Sequence, residues 1–596
     1  MDTEVVITYE PQKVTRVYAQ PVTARAVVAG APEEVADAAA KHEAVGVLAD
    51  GVLLGLDETI PGRSASVELV TTGSAAGQRA VARTLVFVLQ KAAATFQDWL
   101  VAVAHAADTH SVVCTVNGGA RAVTASELDA LRAEMARVVA ADAPVRTVVL
   151  SRAEAVAYFA KRGSRHSAAL LAGANAFGMP CVGCDGHYEL ARGGPYAGST
   201  GVRGMADFDL LPCPPGGFPG TFILSFGRGN GNGSEKGNGQ VGDASCGKES
   251  ANEATTTATT GVMVNERLVS AYTEAAETAR DVLGVENVGE VNARVLRDGP
   301  CFKALCEELH GARLVAAAQT VRARYDAGAR LVLIAGPSSS GKTTFAHKLA
   351  MQLRVAGLQP LILSVDNYYK AHADCPRDAD GKLDFEVVEA LRVDLLNDHL
   401  VALFRGDTVR SPVFDFHAGK PSDTATIPAT LPPHGVVIME GIHCLNDRLT
   451  PRVPAAMKVK IFVAPLSPLH IDEAHPVANE TTRLIRRIVR DYRSRGYSAE
   501  GTLSRWASVR RGEDLHIFPF MKDADVVYNT SLAYEMNILK AFCLPLLASV
   551  KPDSEYYQLT RELVEFMDNF VSIPYHDVPA MSLLREFIGD SFYNTG

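Results

Sequence analysis

A nine-residue string in the middle of the chain constrains the fold more than any other feature. It follows the apolar run 331–335 and precedes a helical pattern from Phe345 to Val355. It satisfies the pattern G-x-x-x-x-G-K-[ST] of a phosphate-binding loop, which requires this order of strand, loop and helix. Chance alone would produce such a string in a chain of this length on the order of one time in fifty. It predicts a P-loop NTPase fold, an α/β fold with a parallel sheet. The string is Gly336-Pro337-Ser338-Ser339-Ser340-Gly341-Lys342-Thr343-Thr344.

The same loop predicts which groups hold the triphosphate of ATP. Inward-facing backbone N–H groups of residues 336–344 and the N-terminus of the following helix would surround the phosphates. Lys342 would reach the β- and γ-phosphates, and Thr343 would place its hydroxyl on Mg²⁺. ATP and Mg²⁺ are therefore the expected cofactors.

Two carboxylates follow other predicted strands. Asp366 comes after the apolar run 360–364, and Glu440 comes after 436–439. The carboxyl ends of parallel strands open onto one edge of a sheet, so both side chains are expected beside the loop. Glu440 would then orient Mg²⁺, and Asp366 would accept a proton from an attacking hydroxyl. The alternative for each is a carboxylate that caps a helix or a turn. A further buried strand is predicted at 458–463.

Six arginines lie on one predicted helical segment with an apolar stripe. A solvated basic face is the ordinary explanation of such a pattern. Arginines that close over the triphosphate would instead stabilise transferred charge and exclude water, as a kinase requires. The chain also lacks an Asn-Lys-x-Asp string of the kind that selects guanine in GTPases. The arginines are Arg483, Arg486, Arg487, Arg490, Arg493 and Arg495.

Aromatic residues gather between these motifs. They could sandwich a nucleobase or belong to the core, and the pattern leaves both readings open. They are Tyr368, Tyr369, Phe385, Phe414 and Phe416.

Residues 227–261 divide the chain in two. Gly, Asn, Ser and Thr dominate this segment, which predicts a disordered linker because there is little apolar surface to bury. Residues 262–325 show helical periodicity and are predicted to form a helical connector to the P-loop domain, 326–596.

The first half predicts small α+β units without a visible catalytic cluster. Residues 45–56 form a predicted hairpin around the turn pair Asp50-Gly51. The most apolar stretch, 85–107, is interrupted by polar residues and predicts a buried helix. Short strands are predicted at 67–70 and 221–226.

Composition excludes several classes of function. The net charge of −10 provides no broad basic field for nucleic acid, so any RNA contact by the first half would be local. Cys181 and Cys184 lack a second ligand pair, which favours buried thiols over zinc. The absence of a signal peptide and of a membrane-spanning apolar run, together with scattered cysteines, predicts a cytoplasmic protein without membrane contact.

These motifs resemble the uridine kinase and phosphoribulokinase family of P-loop kinases over nearly all of 326–550. The closest resemblance is to the subgroup that carries an N-terminal region similar to threonyl-tRNA synthetase. There, 1–70 looks like a TGS domain and 71–226, with Gly194-Pro195 and Ser199-Thr200-Gly201, looks like its neighbour. The matching kinase segments are the P-loop string, Ser364-Val365-Asp366-Asn367-Tyr368-Tyr369, Asp384-Phe385-Glu386, Pro412-Val413-Phe414-Asp415-Phe416, Glu440-Gly441-Ile442-His443 and Arg487-Ile488-Val489-Arg490-Asp491.

The resemblance implies roles for individual residues. Asp366 would be the base and Glu440 the magnesium-linked acid. Arg487 and Arg490 would lie in a lid over ATP. The acceptor would contact Asp366, Tyr368, Glu386, Phe414 and Phe416.

Three positions depart from pyrimidine nucleoside kinases, and a fourth departure concerns the first half. Glu386 stands in place of Asp, Phe414 in place of Tyr, and Gly419 in place of a His. The synthetase-like region lacks H-x-x-x-H, since His105 and His110 are five residues apart, so editing of charged tRNA is not predicted.

The function expected from these patterns is transfer of the ATP γ-phosphoryl group to the 5′-hydroxyl of uridine or a related nucleoside. Two alternatives stay open: a kinase for another small alcohol or a sugar phosphate, and an RNA-binding protein gated by nucleotide. Self-association into a homo-oligomer is also left open.

Overall fold

The computed structural model describes most of the chain. The described residues are 4–9, 13–19, 21–32, 43–50, 52–61, 64–108, 111–119, 122–173, 177–213, 220–226, 266–377, 381, 383–415 and 418–593. The predicted linker at 227–261, His110 and Phe416 lie outside them.

The first unit is a five-stranded sheet in the order β2-β1-β5-β3-β4. The predicted hairpin is confirmed, because β3 and β4 pair antiparallel with Ala49 opposite Val52. Asp50 begins the turn with a positive φ of 47°, a conformation that Asp tolerates better than most residues. The elements are β1 (Glu4–Tyr9), β2 (Val14–Ala19), α1 (Ala24–Ala29), β3 (Ala44–Ala49), β4 (Val52–Gly55) and β5 (Ser64–Thr71).

The second unit contains two further sheets, in the orders β11-β12-β7-β6 and β10-β9-β8. Its elements are α2 (Ala75–Ala93), β6 (Val101–Asp108), β7 (Ser111–Val116), α3 (Ala125–Ala140), β8 (Arg146–Ser151), α4 (Arg152–Arg162), α5 (Arg165–Ala172), β9 (Gly178–Cys184), β10 (His187–Leu190), β11 (Phe208–Pro212) and β12 (Thr221–Phe226).

The prediction of one buried helix over 85–107 is wrong in its second part. The helix α2 ends at Ala93, and Asp98 turns the chain with a positive φ of 61°. From Val101 the chain forms β6, which pairs antiparallel with β7. Pairing with a strand distant from the helix overrode the apolar pattern, which does not by itself distinguish a buried strand from a buried helix.

Helices connect the two halves, as the periodicity predicted. They are α6 (Glu266–Thr278), a π-helical stretch at Ala279–Leu283, and α7 (Val288–Asp326). The long α7 is kinked at Asp298, two residues before Pro300, because proline disrupts a helix interior.

The remainder is the predicted α/β fold. Its sheet has the order β14-β17-β13-β18-β19, and all its neighbouring strands are parallel. All four predicted strands are confirmed, and a separate antiparallel pair joins β15 to β16. The elements are β13 (Leu331–Ala335), α8 (Lys342–Val355), β14 (Gln359–Ser364), α9 (Val393–Arg405), β15 (Val409–Asp415), β16 (Lys420–Ala429), β17 (Gly435–Glu440), β18 (Lys458–Ala464), α10 (Asn479–Arg495), α11 (Ala499–His516), β19 (Val526–Asn529), α12 (Glu535–Leu547), α13 (Tyr557–Asp568) and α14 (Arg585–Ile588).

One apolar core joins the two halves. Phe159 and Leu171 of the second unit share a buried cluster with Val288 of the connector and with Ile485 of α10. The packing therefore makes the second unit a neighbour of the P-loop domain rather than a separate body. None of the described helices has the length and apolar character needed to cross a membrane.

Candidate active site

Strand register places the two predicted acids beside the phosphate-binding loop. Glu440, the last residue of β17, pairs with Ile334 of β13 on one side and with Ser364 of β14 on the other. Ile334 lies two residues before Gly336, where the loop begins. Asp366 lies in the 3₁₀ turn Val365–Tyr368 that follows β14. The sheet thus brings both acids to the edge at which the loop opens.

Both acids act electrostatically on the loop lysine. Burial lowers the pKa of Lys342, and the nearby carboxylates of Glu440 and Asp366 oppose this shift. Burial raises the pKa of Glu440 to about 7, with a further upward contribution from Asp366 and a downward one from Lys342. Burial also raises the pKa of Asp366. Ser364 Oγ donates a hydrogen bond of 3.3 Å to Glu440 Oε1.

The loop has the conformation that its glycines allow. Gly341 has a φ of 86°, in the left-handed region that favours glycine, and directly precedes α8. Lys342 Nζ donates to Pro337 O at 3.1 Å, so the lysine folds back over the loop. Ser338 N donates to Glu513 Oε1 at 2.9 Å, and Thr344 Oγ1 donates to Glu586 Oε2 at 2.6 Å. The remaining loop residues Ser339 and Ser340 are buried, and Thr343 is half-buried.

The arginines of α10 divide into two groups. Arg487 Nη1 donates to Ser338 Oγ at 2.7 Å, and Arg490 lies close enough to influence the pKa of Lys342. Both of these arginines also contact Asp491. In contrast, Arg483 is buried and makes an ion pair with Glu513, so a solvated face does not describe it.

The second buried arginine, Arg486, has a similar anchoring role. Its Nε donates to Glu535 Oε2 at 2.7 Å, and its Nη2 donates to Thr530 O at 2.8 Å. These contacts fix α10 to the sheet and leave Arg487 and Arg490 on the side of the loop.

A ring-lined recess follows the turn that carries Asp366. Tyr369 and Phe414 meet edge to face with ring centroids 6.0 Å apart. His372 contacts the rings of Phe385 and Phe414 at 4.8 Å and 6.2 Å. Tyr369 Oη donates to Phe385 O at 3.2 Å. Together these four side chains form a packed aromatic cluster, here named the recess.

Glu386 lies between this recess and the arginines. Burial raises the pKa of Glu386 to about 7, with a further upward contribution from Glu513 and a downward one from Arg487. Its side chain packs so closely on Gly512 that a Cβ there would approach it to 2.6 Å. Gly512 is thus needed for the close approach of α11 to Glu386.

Tyr368, predicted at the acceptor, lies elsewhere. Its ring is fully buried in the core, and its hydroxyl hydrogen-bonds with His399 Nδ1 at 2.9 Å. The 3₁₀ turn directs the neighbouring Tyr369, rather than Tyr368, toward the acids, as the influence of Asp366 and Glu386 on the Tyr369 pKa indicates. Phe416 lies outside the described residues.

Sequence reasoning missed three residues of this region: His372, Glu513 and Glu586. His372 packs against Gly419, where a Cβ would approach its ring to 2.3 Å. The recess thus acquires a histidine from another position in the chain. Nothing local in the sequence signals Glu513 or Glu586, since each reaches the loop from more than a hundred residues away.

The donor set fits a divalent cation only together with phosphate oxygens. No group of three or more His, Cys, Asp or Glu side chains suited to a metal occurs among the described residues. The half-buried Asp366 nevertheless raises the pKa of the buried Glu440, with Lys342 as a nearby counter-charge. A hydroxyl, a carboxylate and substrate phosphates are the usual magnesium ligands in such sites.

Known proteins resemble the part of the chain that carries this site. Residues 331–533 match the model of the Phosphoribulokinase / Uridine kinase family. A uridine kinase from Bacillus mycoides is 31% identical over 195 residues, which are 33% of this chain and 82% of that protein. A uridine kinase from Brevibacillus brevis is 30% identical over 200 residues, which are 33% of this chain and 83% of that protein. A solved structure of a possible uridine kinase from Bacillus stearothermophilus covers 37% of this chain and 98% of its own, at 20% identity and a TM-score of 0.25.

The family match does not extend to residues 1–226, so the TGS-like and synthetase-like units remain predictions. The residues that match these relatives contain the parallel sheet, the P-loop and the two acids beside it. The chain therefore belongs to the Phosphoribulokinase / Uridine kinase family and is an ATP-dependent phosphotransferase.

Proposed function

We propose that the protein transfers the γ-phosphoryl group of ATP to a primary hydroxyl of a nucleoside, with the 5′-hydroxyl of uridine or a related nucleoside as acceptor. The observation that supports this most is the position of Asp366. It lies within electrostatic reach of Lys342 and at the start of the turn that leads to Tyr369 and the recess. A hydroxyl held beside Asp366 would face the P-loop.

Asp366 would accept the proton of the attacking hydroxyl. Its burial raises the pKa, which makes it a stronger base than an exposed aspartate. Lys342, Arg487 and Arg490 would stabilise the charge that develops on the transferred group, and the arginines would exclude water. Magnesium on Thr343 and Glu440 would neutralise phosphate charge when bound.

The recess suits a planar base with an attached sugar. Phe414 and Tyr369 offer ring faces and edges, and His372 supplies a polar ring beside them. Glu386 would accept hydrogen bonds from sugar hydroxyls near Arg487. Glu386, Phe414 and Gly419 differ from the pattern of pyrimidine nucleoside kinases. The proposed acceptors therefore include nucleosides with a base other than uracil.

An acceptor screen tests this function. Purified full-length protein is assayed for ADP release with ATP, Mg²⁺ and one acceptor at a time from uridine, cytidine, adenosine, guanosine and a pentose phosphate. We expect one nucleoside to stimulate ADP release, with the phosphate on its 5′-oxygen by NMR. Stimulation by the pentose phosphate alone would contradict the nucleoside assignment.

The role of Asp366 is tested in the same assay. Asp366→Asn should lower kcat by at least about a hundredfold because the amide cannot accept the proton, while ATP binding persists. Asp374→Asn is the matched control, since Asp374 is an exposed aspartate a few residues further on, and it should keep full activity. Full activity of Asp366→Asn would remove Asp366 as the base.

A further inference from the structure

A cavity of about 620 Å³ lies between the second unit and the P-loop domain. Its walls come from β6 and β7, from the junction of α4 and α5, from α6, and from the loop at 468–473. None of its lining residues belongs to the P-loop, to the two acids or to the aromatic recess. The volume lies within the range of small-molecule sites, which is about 300–1,000 Å³.

Ring pairs with nearly parallel planes border this cavity. His105 and Tyr272 stack with centroids 3.9 Å apart and an interplanar angle of 7°. His166 and His470 stack at 4.6 Å and 3°. Phe96 and Trp99 lie at the same cavity with ring centroids 5.0 Å apart, but their planes are inclined by 28°. Flat aromatic walls of this kind favour a planar ring as ligand, since offset stacking adds to the burial of its faces.

The ring of His470 forms part of the cavity wall. Its Nδ1 is buried and has no hydrogen-bond partner within the described part of the chain. Burial lowers the pKa of His470 to about 3, so the ring is neutral at physiological pH. The ring therefore adds an uncharged wall to the cavity, with its Nδ1 atom turned away from the accessible space.

The charged groups around the cavity are largely matched. Arg165 Nη2 lies 3.0 Å from Glu286 Oε2, and Arg280 Nε lies 2.7 Å from Asp281 Oδ1. The carboxylate of Glu473 accepts hydrogen bonds from His166 N at 2.8 Å and from Ser167 N at 3.1 Å. Arg162 forms an ion pair with Glu189. Such a lining gains little from a charged ligand and suits an uncharged one.

From these contacts we infer that the cavity binds an uncharged, planar heteroaromatic metabolite of nucleobase or nucleoside size, at a site separate from phosphoryl transfer. The rings that line the cavity, His470 among them, would contact the ligand's faces.

The cavity also contacts the start of α10. Asn479, the first residue of that helix, donates a hydrogen bond to the hydroxyl of Tyr272. Asn479 Oδ1 also accepts from Ser467 N at 3.2 Å, just before the loop at 468–473. The same helix carries Arg487, which contacts the P-loop.

Titration calorimetry on the full-length protein tests the site. Adenine and uracil serve as probes, each titrated in the presence of Mg²⁺ and excess non-hydrolysable ATP analogue, which keeps the nucleotide site filled. We expect one probe to bind at one site per chain. Ala276→Trp, which fills the cavity from α6, and His470→Ala should each weaken that binding by at least about tenfold.

His576 is an exposed histidine beside the Tyr575 ring and outside the cavity, and His576→Ala should bind the probe like the unchanged protein. Equal binding by Ala276→Trp, or no binding of either probe at about 1 mM, would overturn the inference. If His470→Ala fails to fold, Ala276→Trp alone decides, with its thermal unfolding recorded beside the unchanged protein.

Discussion

At the scale of single residues, the protonation of two acids in the site depends on burial and on one nearby lysine. Glu440 and Asp366 each have a pKa raised by burial, and Lys342 lowers both. Protonation is one way to relieve the cost of a buried carboxylate, and binding of a cation is another. The arrangement that would suit Mg²⁺ in the loaded enzyme therefore makes the ligand-free protein sensitive to pH.

We predict that Glu440 contributes less to the stability of the ligand-free protein as pH rises through 7. The folded-state pKa of Glu440 is about 7, above its value in the unfolded chain. The folded state thus keeps a proton that the unfolded state has released, and stabilisation present at low pH disappears as pH rises through 7. The loss for this one group is on the order of 1–3 kcal/mol, measured by urea unfolding across the pH range.

Glu440→Gln should remove this contribution, because the amide does not titrate, so the unchanged protein should lose stability relative to the variant as pH rises through 7. Glu154→Gln is the control, since a hydrogen bond from Ser151 lowers the pKa of Glu154 and keeps it ionised over the whole range. An unchanged slope in Glu440→Gln would contradict the assignment of the pH dependence to this acid.

At the scale of elements, α10 connects the core to the P-loop. Its buried arginines anchor it through Glu513 and Glu535, which are on α11 and α12. With the helix fixed in this way, Arg487 reaches Ser338 without a large loss of side-chain freedom. Pre-organised charge of this kind stabilises transferred phosphate more than a mobile side chain would.

We predict that Arg487→Ala raises KM for ATP by roughly tenfold to a hundredfold and also lowers kcat. A hydrogen bond to a charged group contributes about 1.5–3 kcal/mol, so its loss weakens ATP binding to this extent. Steady-state kinetics with varied ATP measure the change. Arg505→Ala on α11 is the control, because Arg505 is exposed and lies over the Tyr497 ring. Equal KM values in the two variants would exclude Arg487 from the nucleotide site.

At the scale of the whole molecule, a C-terminal segment covers the P-loop. Residues 571–593 lie beyond the matched family region, which ends at 533. In this segment Leu583 packs so closely on Gly341 that a Cβ there would approach it to 2.7 Å. Met581 O accepts from Lys348 Nζ at 3.1 Å, and Glu586 accepts from Thr344. The segment therefore adds a negative charge to a site that must accept a triphosphate.

We predict that Glu586→Gln strengthens ATP binding by roughly threefold to tenfold. Glu586 lies close enough to influence the pKa of both Lys342 and Glu440, so its charge opposes that of the phosphates. Fluorescence titration with a labelled ATP analogue measures the dissociation constant. Asp590→Asn removes the same charge from an exposed position in the same segment and should leave the constant unchanged. Weaker binding by Glu586→Gln would show that this carboxylate supports the nucleotide instead.

Much of the P-loop domain could be predicted from local sequence. The glycines of the loop, the apolar runs of the strands and the acids that follow two of them depend on contacts within a few residues or on strand order. Other features depended on which partner a segment meets. Val101–Asp108 became a strand because it pairs with β7, the next strand along the chain, and the ring of Tyr368 lies in the core, where its hydroxyl hydrogen-bonds with His399.

By itself the sequence determined that this chain contains a phosphate-binding loop at the edge of a parallel sheet, with Asp366 and Glu440 after neighbouring strands. Only the tertiary structure decided which arginines anchor α10, that His372 enters the recess beside Gly419, and that Glu586 reaches Thr344. It alone formed the cavity between the two halves. The physical reason is that periodicity and turn chemistry act over a few residues, whereas these contacts form when surfaces from distant parts of the chain pack together.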